Sequence, residues 1–331
     1  MTTDEVAEVL RKADWLGEGE SFQVSELTGG VSSIILKVEA AGRPPVCLKR
    51  ALTRLKVAEA WEADPARNAA ERDSLRLWSS IVPGSTPALL HEDPARQLFL
   101  MEFLTESRTW KEDLLAGRVA EGPASRCGEI LGRIHAETSH RPELGRTFAN
   151  HELFEQLRID PYLRTAGRRH PDLAALFDQA IGSLHNHRLC LIHGDFSPKN
   201  ILLLDSGRIV VLDHEVAVFG DPAFDLAFLL NHLFLKQVVR PDCGRRLRRE
   251  ITCFLDAYRA HTHDAAFENP LSRATRLLPM LMLARIDGKS PVEYLDATQR
   301  GAVRDFSRSM IRSEAPSPHA FTEAFAGAFN A

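Results

Sequence analysis

Two short apolar runs separated by a turn interrupt the helical pattern of the second half of this chain, and they constrain the fold more than any other feature. The runs ILLL and IVVL flank the turn Asp205-Ser206-Gly207, which is typical of a β-hairpin. A polar loop, HGDFSPKN at residues 193–200, leads into the first run, and the second run ends in Asp213-His214-Glu215. The sequence therefore predicts polar side chains held at the ends of buried strands.

Three of those side chains have the chemistry that a magnesium-bound phosphate requires. Mg²⁺ prefers hard oxygen ligands and keeps most of its water, so Asp213 and the carbonyl oxygen of Asn200 suffice beside phosphate oxygens. Asp195 then remains available to orient an attacking hydroxyl and to accept its proton. We interpret the segment as a phosphoryl-transfer site.

The string HGD-x-x-x-x-N followed by an acid at a strand end resembles the aminoglycoside phosphotransferase and choline kinase superfamily. It is the counterpart of the HRD-x-x-x-x-N and DFG motifs of protein kinases. The resemblance implies an α+β fold of the protein-kinase type, with a small β-rich N-terminal lobe and a larger, mainly helical C-terminal lobe. It also implies that Asp195 is the catalytic base and that Asn200 and Asp213 hold Mg²⁺ while ATP supplies the phosphate.

The order of patterns along the chain agrees with two lobes. Apolar, β-branched runs separated by turns occupy the first third, whereas the chain beyond about Thr105 is mostly helical. We place a nucleotide-binding lobe with its hinge strand at residues 1–104 and a helical catalytic and substrate lobe at residues 105–331.

A glycine turn and a strand lysine are the candidate phosphate contacts of the first lobe. Adjacent glycines let the backbone approach phosphates closely, with amides and hydroxyls as donors. The candidates in this turn are Gly29, Gly30, Ser32 and Ser33. Lys49 ends an apolar strand, matching the kinase lysine that grips the α- and β-phosphates. Its expected partner is Glu71, with Glu59 and Glu62 as alternatives.

Further roles follow from the resemblance. The strand LFLMEFL occupies the position that joins the lobes, so the hinge residues beside adenine would be Met101, Glu102, Phe103 and Leu104. His193 and Asp225 would support the catalytic loop, although Asp225 is equally suited to cap a helix. Lys199 points either toward the γ-phosphate or outward. The substrate candidates are His232, Arg285, Asp287 and Lys289.

The interval after the metal-binding acid favours a small acceptor over a protein. Only eleven residues separate Asp213 from Asp225, and Gly194 stands where protein kinases carry an arginine. The stretches ALTRLKVAEAWEADPARN and VFGDPAFDLAFLLN resemble methylthioribose kinases, which however usually lack an asparagine at the position of Asn200 and favour DPE over the DHE found here.

Composition excludes several other classes. The net charge of −4 lacks the basic excess of a nucleic-acid binder. Five scattered cysteines without a CxxC pair indicate reduced thiols in the cytoplasm. The apolar runs are shorter than the roughly 20 residues of a membrane span, so no membrane partner is expected.

We therefore predict a cytoplasmic, ATP- and Mg²⁺-dependent phosphotransferase acting on a hydroxyl of a small molecule, either a sugar-like or amino-alcohol metabolite or an antibiotic. A catalytically silent, kinase-like nucleotide-binding protein and, less favoured, a protein kinase are the alternatives. The sequence does not set the acceptor, the choice between ATP and GTP, or the oligomeric state.

Overall fold

A computed structural model of the chain describes residues 1–27, 33–52, 67–314 and 316–329. The chain divides into two compact units, Met1–Ser107 and Arg108–Ala331. The boundary therefore follows the predicted hinge segment by three residues. In the described ranges, no helix has the length and apolar content needed to span a bilayer.

In its described residues the smaller unit has an antiparallel sheet and two α-helices. Its elements are α1 (Thr3–Lys12), β1 (Phe22–Glu26), β2 (Ser33–Ala40), β3 (Val46–Ala51), α2 (Arg67–Ile81), β4 (Leu89–Asp93) and β5 (Leu98–Glu102). The strand order is β1-β2-β3-β5-β4, which puts β3 at the centre. Helix α1 starts with a capping box between Thr2 and Glu5 and packs Val9 and Leu10 against the sheet, where Leu48 is fully buried.

The larger unit is mainly helical. Its helices are α3 (Trp110–Leu115), α4 (Pro123–Ser139), α5 (Leu144–Thr147), α6 (His151–Phe154), α7 (Thr165–Arg169), α8 (Ala174–Asn186), α9 (Pro222–Val239), α10 (Gly244–Thr262), α11 (Leu271–Asp287), α12 (Ala297–Arg312) and α13 (Pro318–Phe329). Its strands are β6 (Ser107–Thr109), which begins at the boundary, β7 (Cys190–Ile192), β8 (Ile201–Leu204), β9 (Ile209–Val211) and β10 (Val218–Gly220).

Helix α9 forms the centre of the larger unit. All but its last residue are buried, because its sequence is apolar on every side. Asp221 caps its first turn by accepting a hydrogen bond from the amide of Ala223, and Pro222 occupies the first helical position. The strands β7 and β10 pair antiparallel beside its N-terminus.

A π-helical segment, Glu155–Arg164, precedes α7. Pro161 lies inside it and has no N–H to donate, so regular α-helical hydrogen bonding cannot run through this position. Wide helical turns of this kind are frequent at functional sites.

Candidate active site

Asn200 directly precedes β8 and Asp213 lies two residues after β9, so both are at the open end of the same hairpin. Ile201 pairs with Val211 across the hairpin, and the next residues outward continue the ladder. The amide of Leu212 donates to the carbonyl of Asn200 at 2.8 Å. Asp213 follows directly with φ +66°, a left-handed conformation that is uncommon for a side chain other than glycine. Strain of this kind persists only where surrounding structure enforces it.

Asp195 lies in the loop before this hairpin and is only 3% exposed. The amide nitrogen Nδ2 of Asn200 donates both to the Asp195 carbonyl at 3.0 Å and to its Oδ2 at 2.9 Å. This bridge orients the carboxylate. It also commits the nitrogen side of the Asn200 amide, so Oδ1 is the atom of that side chain left to coordinate a cation.

Two cations hold the Asp195 carboxylate in its ionised form. Arg158 Nη2 lies 3.0 Å and Lys199 Nζ 2.9 Å from Oδ2. Burial alone would raise the pKa of Asp195, but attraction first from Arg158 and then from Lys199 outweighs burial and lowers it. The carboxylate is therefore ready to accept a hydrogen bond from a hydroxyl at neutral pH.

Arg158 was not predicted from the sequence. It projects from the π-helical segment, and its Nε also donates to the carbonyl of Gly194 at 2.6 Å. One guanidinium thus fixes both the backbone and the carboxylate of the catalytic loop. Arg158 precedes the motif by 37 positions, counted from Asp195, and belongs to no recognisable string; the π-helix itself was not predicted either.

His193 and Gly194 shape the loop from within. The Nδ1 of His193 accepts from the amide of Asp195 at 3.1 Å, and Nε2 donates to the Leu212 carbonyl at 3.1 Å. Burial lowers the pKa of His193, which keeps the ring neutral as this pair of bonds requires. Gly194 has φ +75°, and a Cβ there would lie 2.7 Å from the carbonyl oxygen of Val216. No larger residue fits without moving the loop.

Asp225 on α9 holds the same loop from the other side. Its two carboxylate oxygens accept from the amides of His193 at 2.6 Å and Gly194 at 2.9 Å. His135 Nε2 lies 3.4 Å from Oδ2 and its Nδ1 is hydrogen-bonded to the hydroxyl of Tyr258 at 3.1 Å. The cap of α9 is Asp221 rather than Asp225, so the geometry separates the two roles that the sequence left open.

The smaller unit contains the predicted lysine–glutamate pair. Lys49 Nζ lies 2.7 Å from Glu71 Oε1, and both side chains are about 4% exposed. Ser33 begins β2 and is buried. Gly29, Gly30 and Ser32, together with the alternative partners Glu59 and Glu62, lie outside the described residues.

The predicted hinge residues lie at the end of β5 in the same sheet and directly after it. Met101 and Glu102 end β5, which pairs with β3 so that Met101 is opposite Cys47. Glu102 Oε2 accepts from the amide of Ala88 at 3.2 Å. The ammonium group of Lys37 lies 4.9 Å from the ring centre of Phe103. Leu104 follows at intermediate exposure.

The four predicted substrate residues separate into two groups. Asp287 accepts two hydrogen bonds from Arg304, and Lys289 Nζ is 2.7 Å from Asp160. Both are thus engaged in ion pairs within the larger unit. His232 and Arg285, by contrast, lie without a carboxylate partner among the described residues.

A surface cavity of about 380 Å³ lies elsewhere in the larger unit. Its walls include His151, Glu155 and Arg188, and none of the predicted site residues lines it. The candidate catalytic centre is therefore assigned to Asp195, where several hydrogen bonds converge, and not to this cavity.

A family model described as the phosphotransferase enzyme family matches residues 16–260 of this chain, which is well over half of it. The chain belongs to this family. The matched stretch contains both the Lys49–Glu71 pair and the whole Asp195–Asp213 hairpin. The family resemblance expected from the HGD motif is confirmed.

Several methylthioribose kinases are also similar to the chain. A methylthioribose kinase of Pectobacterium atrosepticum is 26% identical over 262 residues, covering 71% of this chain and 65% of the relative. One from Geobacillus thermodenitrificans is 24% identical over 244 residues, covering 66% and 61%. The chain thus spans slightly less than two thirds of the length of these relatives.

Solved structures confirm the protein-kinase-like α+β fold. A spectinomycin phosphotransferase in complex with ADP and spectinomycin matches with TM-score 0.53 and 13% identity over 100% of this chain and 99% of that one. An aminoglycoside phosphotransferase from Alicyclobacillus acidocaldarius matches with TM-score 0.52 and 16% identity over 97% and 95%.

Proposed function

We propose that this protein is a small-molecule kinase that transfers the γ-phosphate of ATP to an alcohol. The observation that carries the proposal is the Asp195 carboxylate, which is buried, bridged by Asn200 and kept ionised by Arg158 and Lys199. An ionised carboxylate at the end of a strand–loop–strand unit can align a hydroxyl for attack and accept its proton. Membership of the phosphotransferase enzyme family supports the same assignment.

Asn200 and Asp213 suit Mg²⁺. Both residues lie at the open end of the β8–β9 hairpin, and the Asn200 nitrogen is engaged with Asp195, leaving its oxygen for the cation. In the ranges that the structure describes, no group of three or more His, Cys, Asp or Glu side chains is arranged for a metal. Two oxygen ligands supplemented by phosphate and water are the usual protein share of a Mg²⁺ site. When bound, the cation neutralises charge on the phosphate oxygens.

In the smaller unit we assign Lys49 to the nucleotide phosphates. Its ammonium group is buried and fixed by Glu71 at 2.7 Å, so it is held in one position before any ligand binds. Preorganisation of this kind lowers the entropy lost on binding. We also assign Ser33 and the backbone of residues 101–104 to nucleotide contacts, together with Gly29, Gly30 and Ser32 of the preceding turn.

The test is a coupled ADP-release assay with Mg-ATP and a panel of sugars, sugar acids, amino alcohols, methylthioribose and aminoglycosides. Methylthioribose is included because the named relatives are its kinases. We expect at least one acceptor to give turnover that falls by roughly 10²- to 10⁴-fold in Asp195→Asn, since that is the usual contribution of a general base. Nucleotide binding should survive the substitution.

Asp205→Asn is the matched control, because Asp205 is an exposed aspartate on the turn of the same hairpin. It should leave turnover unchanged. Turnover of Asp195→Asn within about tenfold of the wild-type protein would refute the assignment of the base. Nucleotide binding without ADP release for any acceptor would instead favour a silent kinase-like binding protein.

A further inference from the structure

A group of basic side chains in the larger unit lacks acidic partners among the residues that the structure describes. We call His232, Lys236 and Arg285 the basic cluster. Lys236 is 1% exposed, and its ammonium group contacts Tyr294, at 2.8 Å from the hydroxyl and 4.1 Å from the ring centre. Among the described residues no carboxylate lies within ion-pair distance of it. An unpaired buried charge is costly, so a fold retains it only against a gain elsewhere.

Arg285 gives an independent observation. Its Nη1 is hydrogen-bonded to Ser290 and lies 3.4 Å from the Tyr162 hydroxyl, but none of its contacts in the described ranges is to a carboxylate. Its Nε is buried with no hydrogen-bond partner there. Buried N–H groups are rarely left unsatisfied, because each costs about as much as a lost hydrogen bond. This donor therefore indicates an absent acceptor.

Most other cations of this unit near the cluster are paired. Lys111 donates to Glu293 at 2.6 Å, Lys289 to Asp160 and Arg304 to Asp287. The contrast shows that acidic side chains are available in this region and that the basic cluster is nevertheless left without one.

The basic cluster adjoins the catalytic aspartate through aromatic rings. His232 and Lys236 are one helical turn apart on α9, and the His232 ring lies 5.2 Å from Phe228, a turn earlier. Arg158, the partner of Asp195, stands 5.9 Å over that same Phe228 ring. Tyr162 lies 5.6 Å from Phe228 and 5.8 Å from the guanidinium of Arg285. Arg158, which holds Asp195, and the basic cluster are therefore linked through the same aromatic rings on and beside α9.

We propose that the basic cluster binds an anionic oxygen group of the acceptor, a carboxylate or a phosphate ester, so that the substrate is a negatively charged alcohol. This inference rests on the proposed kinase function. It names a recognition element that a neutral sugar or a polycationic antibiotic would not use. Lys236 and the Nε of Arg285 would supply charge-assisted hydrogen bonds to the anion.

The charge state of the cluster agrees with an absent anion. Burial first, then repulsion from Lys111 and Arg285, lowers the pKa of Lys236 to about 7, opposed by Glu293. Burial and the neighbouring cations Lys236, Arg285, Lys199 and Lys111 also lower the pKa of His232. An anion placed among these groups would raise both pKa values, and roughly half a proton or more would be taken up per anion bound at pH 7.

The experiment is titration calorimetry of the full chain with D-gluconate, glycerol 3-phosphate and the neutral polyol D-glucitol. We expect one of the anions, but not D-glucitol, to bind with proton uptake, detected by comparing buffers of different ionisation enthalpy. The anion that binds distinguishes a carboxylate from a phosphate ester. Lys236→Met should weaken that binding roughly 10- to 100-fold and reduce the proton uptake. Lys12→Met, an exposed lysine of α1, is the matched control.

The outcomes separate this inference from the kinase function. The anion site would be overturned by any of three results: neither anion binds, D-glucitol binds as tightly as the anions, or Lys236→Met binds the anion as the wild-type protein does. This holds even if a neutral acceptor is phosphorylated. Loss of anion binding in Lys236→Met supports the site even if no acceptor gives ADP. If Lys236→Met fails to fold, Arg285→Gln in the same titration decides the question by the same criteria.

Discussion

The two halves of helix α9 contain buried charges that are treated in opposite ways. At the N-terminus the cap residue Asp221 accepts two hydrogen bonds from Arg273, and in the first half Asp225 accepts two from the catalytic-loop amides. In the second half Lys236 is as deeply buried, but among the described residues its ammonium group has a tyrosine and no carboxylate as partner.

The two halves of α9 therefore serve different purposes. Satisfied buried charges fix one conformation, as the loop beside Asp195 requires. Unsatisfied buried charges reduce stability and are retained where a ligand completes them. On this comparison the first half of α9 preorganises the catalytic loop, while the second half contributes to the proposed binding site of the acceptor. Substitutions in the two halves should accordingly change stability with opposite signs.

The largest loss of stability is expected from Asp225→Ala. The change leaves the amides of His193 and Gly194 without acceptors in a fully buried position. We expect roughly 3–5 kcal/mol lower free energy of unfolding, measured by urea denaturation, and a large loss of turnover. Asp256→Ala, on the exposed side of α10, should change neither. A loss of activity with unchanged stability would contradict the conclusion that Asp225 holds the catalytic loop in place.

Lys236→Met should act in the opposite direction and stabilise the fold by about 2–4 kcal/mol at neutral pH. Lys236 has a pKa lowered from 10.5 to about 7 in the folded chain, so between these values the unfolded chain binds more protons. Stability therefore rises with pH across this window, and the cost of the lysine is complete below about pH 7. The gain from methionine should be largest there and disappear above about pH 10.5.

Unfolding curves at pH 6, 8 and 10 test this dependence. A destabilised Lys236→Met protein would mean that the lysine is a structural group satisfied by Tyr294, and the contrast between the two halves of α9 would fail.

The part of the site that could be predicted from the sequence consists mainly of residues that are close together in the chain. Asp195, Asn200 and Asp213 lie within nineteen positions, and pairing of β8 with β9 puts the two metal candidates at the same end of one hairpin. Lys49 and Glu71 are farther apart, but a central strand and the next helix are elements that the pattern predicts. The catalytic motif and the fold class can be predicted because they depend on neighbouring residues and on consecutive secondary-structure elements.

What the sequence could not supply depends on tertiary packing. Arg158 reaches Asp195 from a π-helix with no sequence signature, and Asp287 and Lys289 look like substrate groups until their partners Arg304 and Asp160 are known. Lys236 did carry a signal. It stands within the mostly apolar run FLLNHLFLKQVV, where a buried charge is rare. A lysine inside a mostly apolar, buried helix predicts a functional group more directly than a polar helix end does.

Gly194→Ala tests whether the catalytic loop beside α9 can accommodate a side chain at this position. The added methyl group would meet the Val216 carbonyl at 2.7 Å, in a backbone conformation with φ +75°. We expect a loss of about 1–3 kcal/mol in the free energy of unfolding, with turnover reduced. Gly182→Ala in α8 is the control, because a Cβ there meets no atom within 4 Å and should stabilise the helix slightly. Equal effects of the two substitutions would show that the loop is not constrained.

The smallest expected effect is a shift in the pH profile. Arg158→Met removes the first of the two cations that lower the pKa of Asp195, while Lys199 remains at 2.9 Å. Because the base acts when ionised, activity is lost as pH falls through the pKa of Asp195, and removal of Arg158 should raise that pKa. We expect the acidic limb of kcat/KM to move to higher pH. Arg158→Lys should restore part of the shift, since it keeps the charge but not the fork that spans Gly194 and Asp195. If the acidic limb does not move and the rate falls equally at every pH, Arg158 only holds the loop in place. Lys199 would then be the cation that keeps Asp195 ionised.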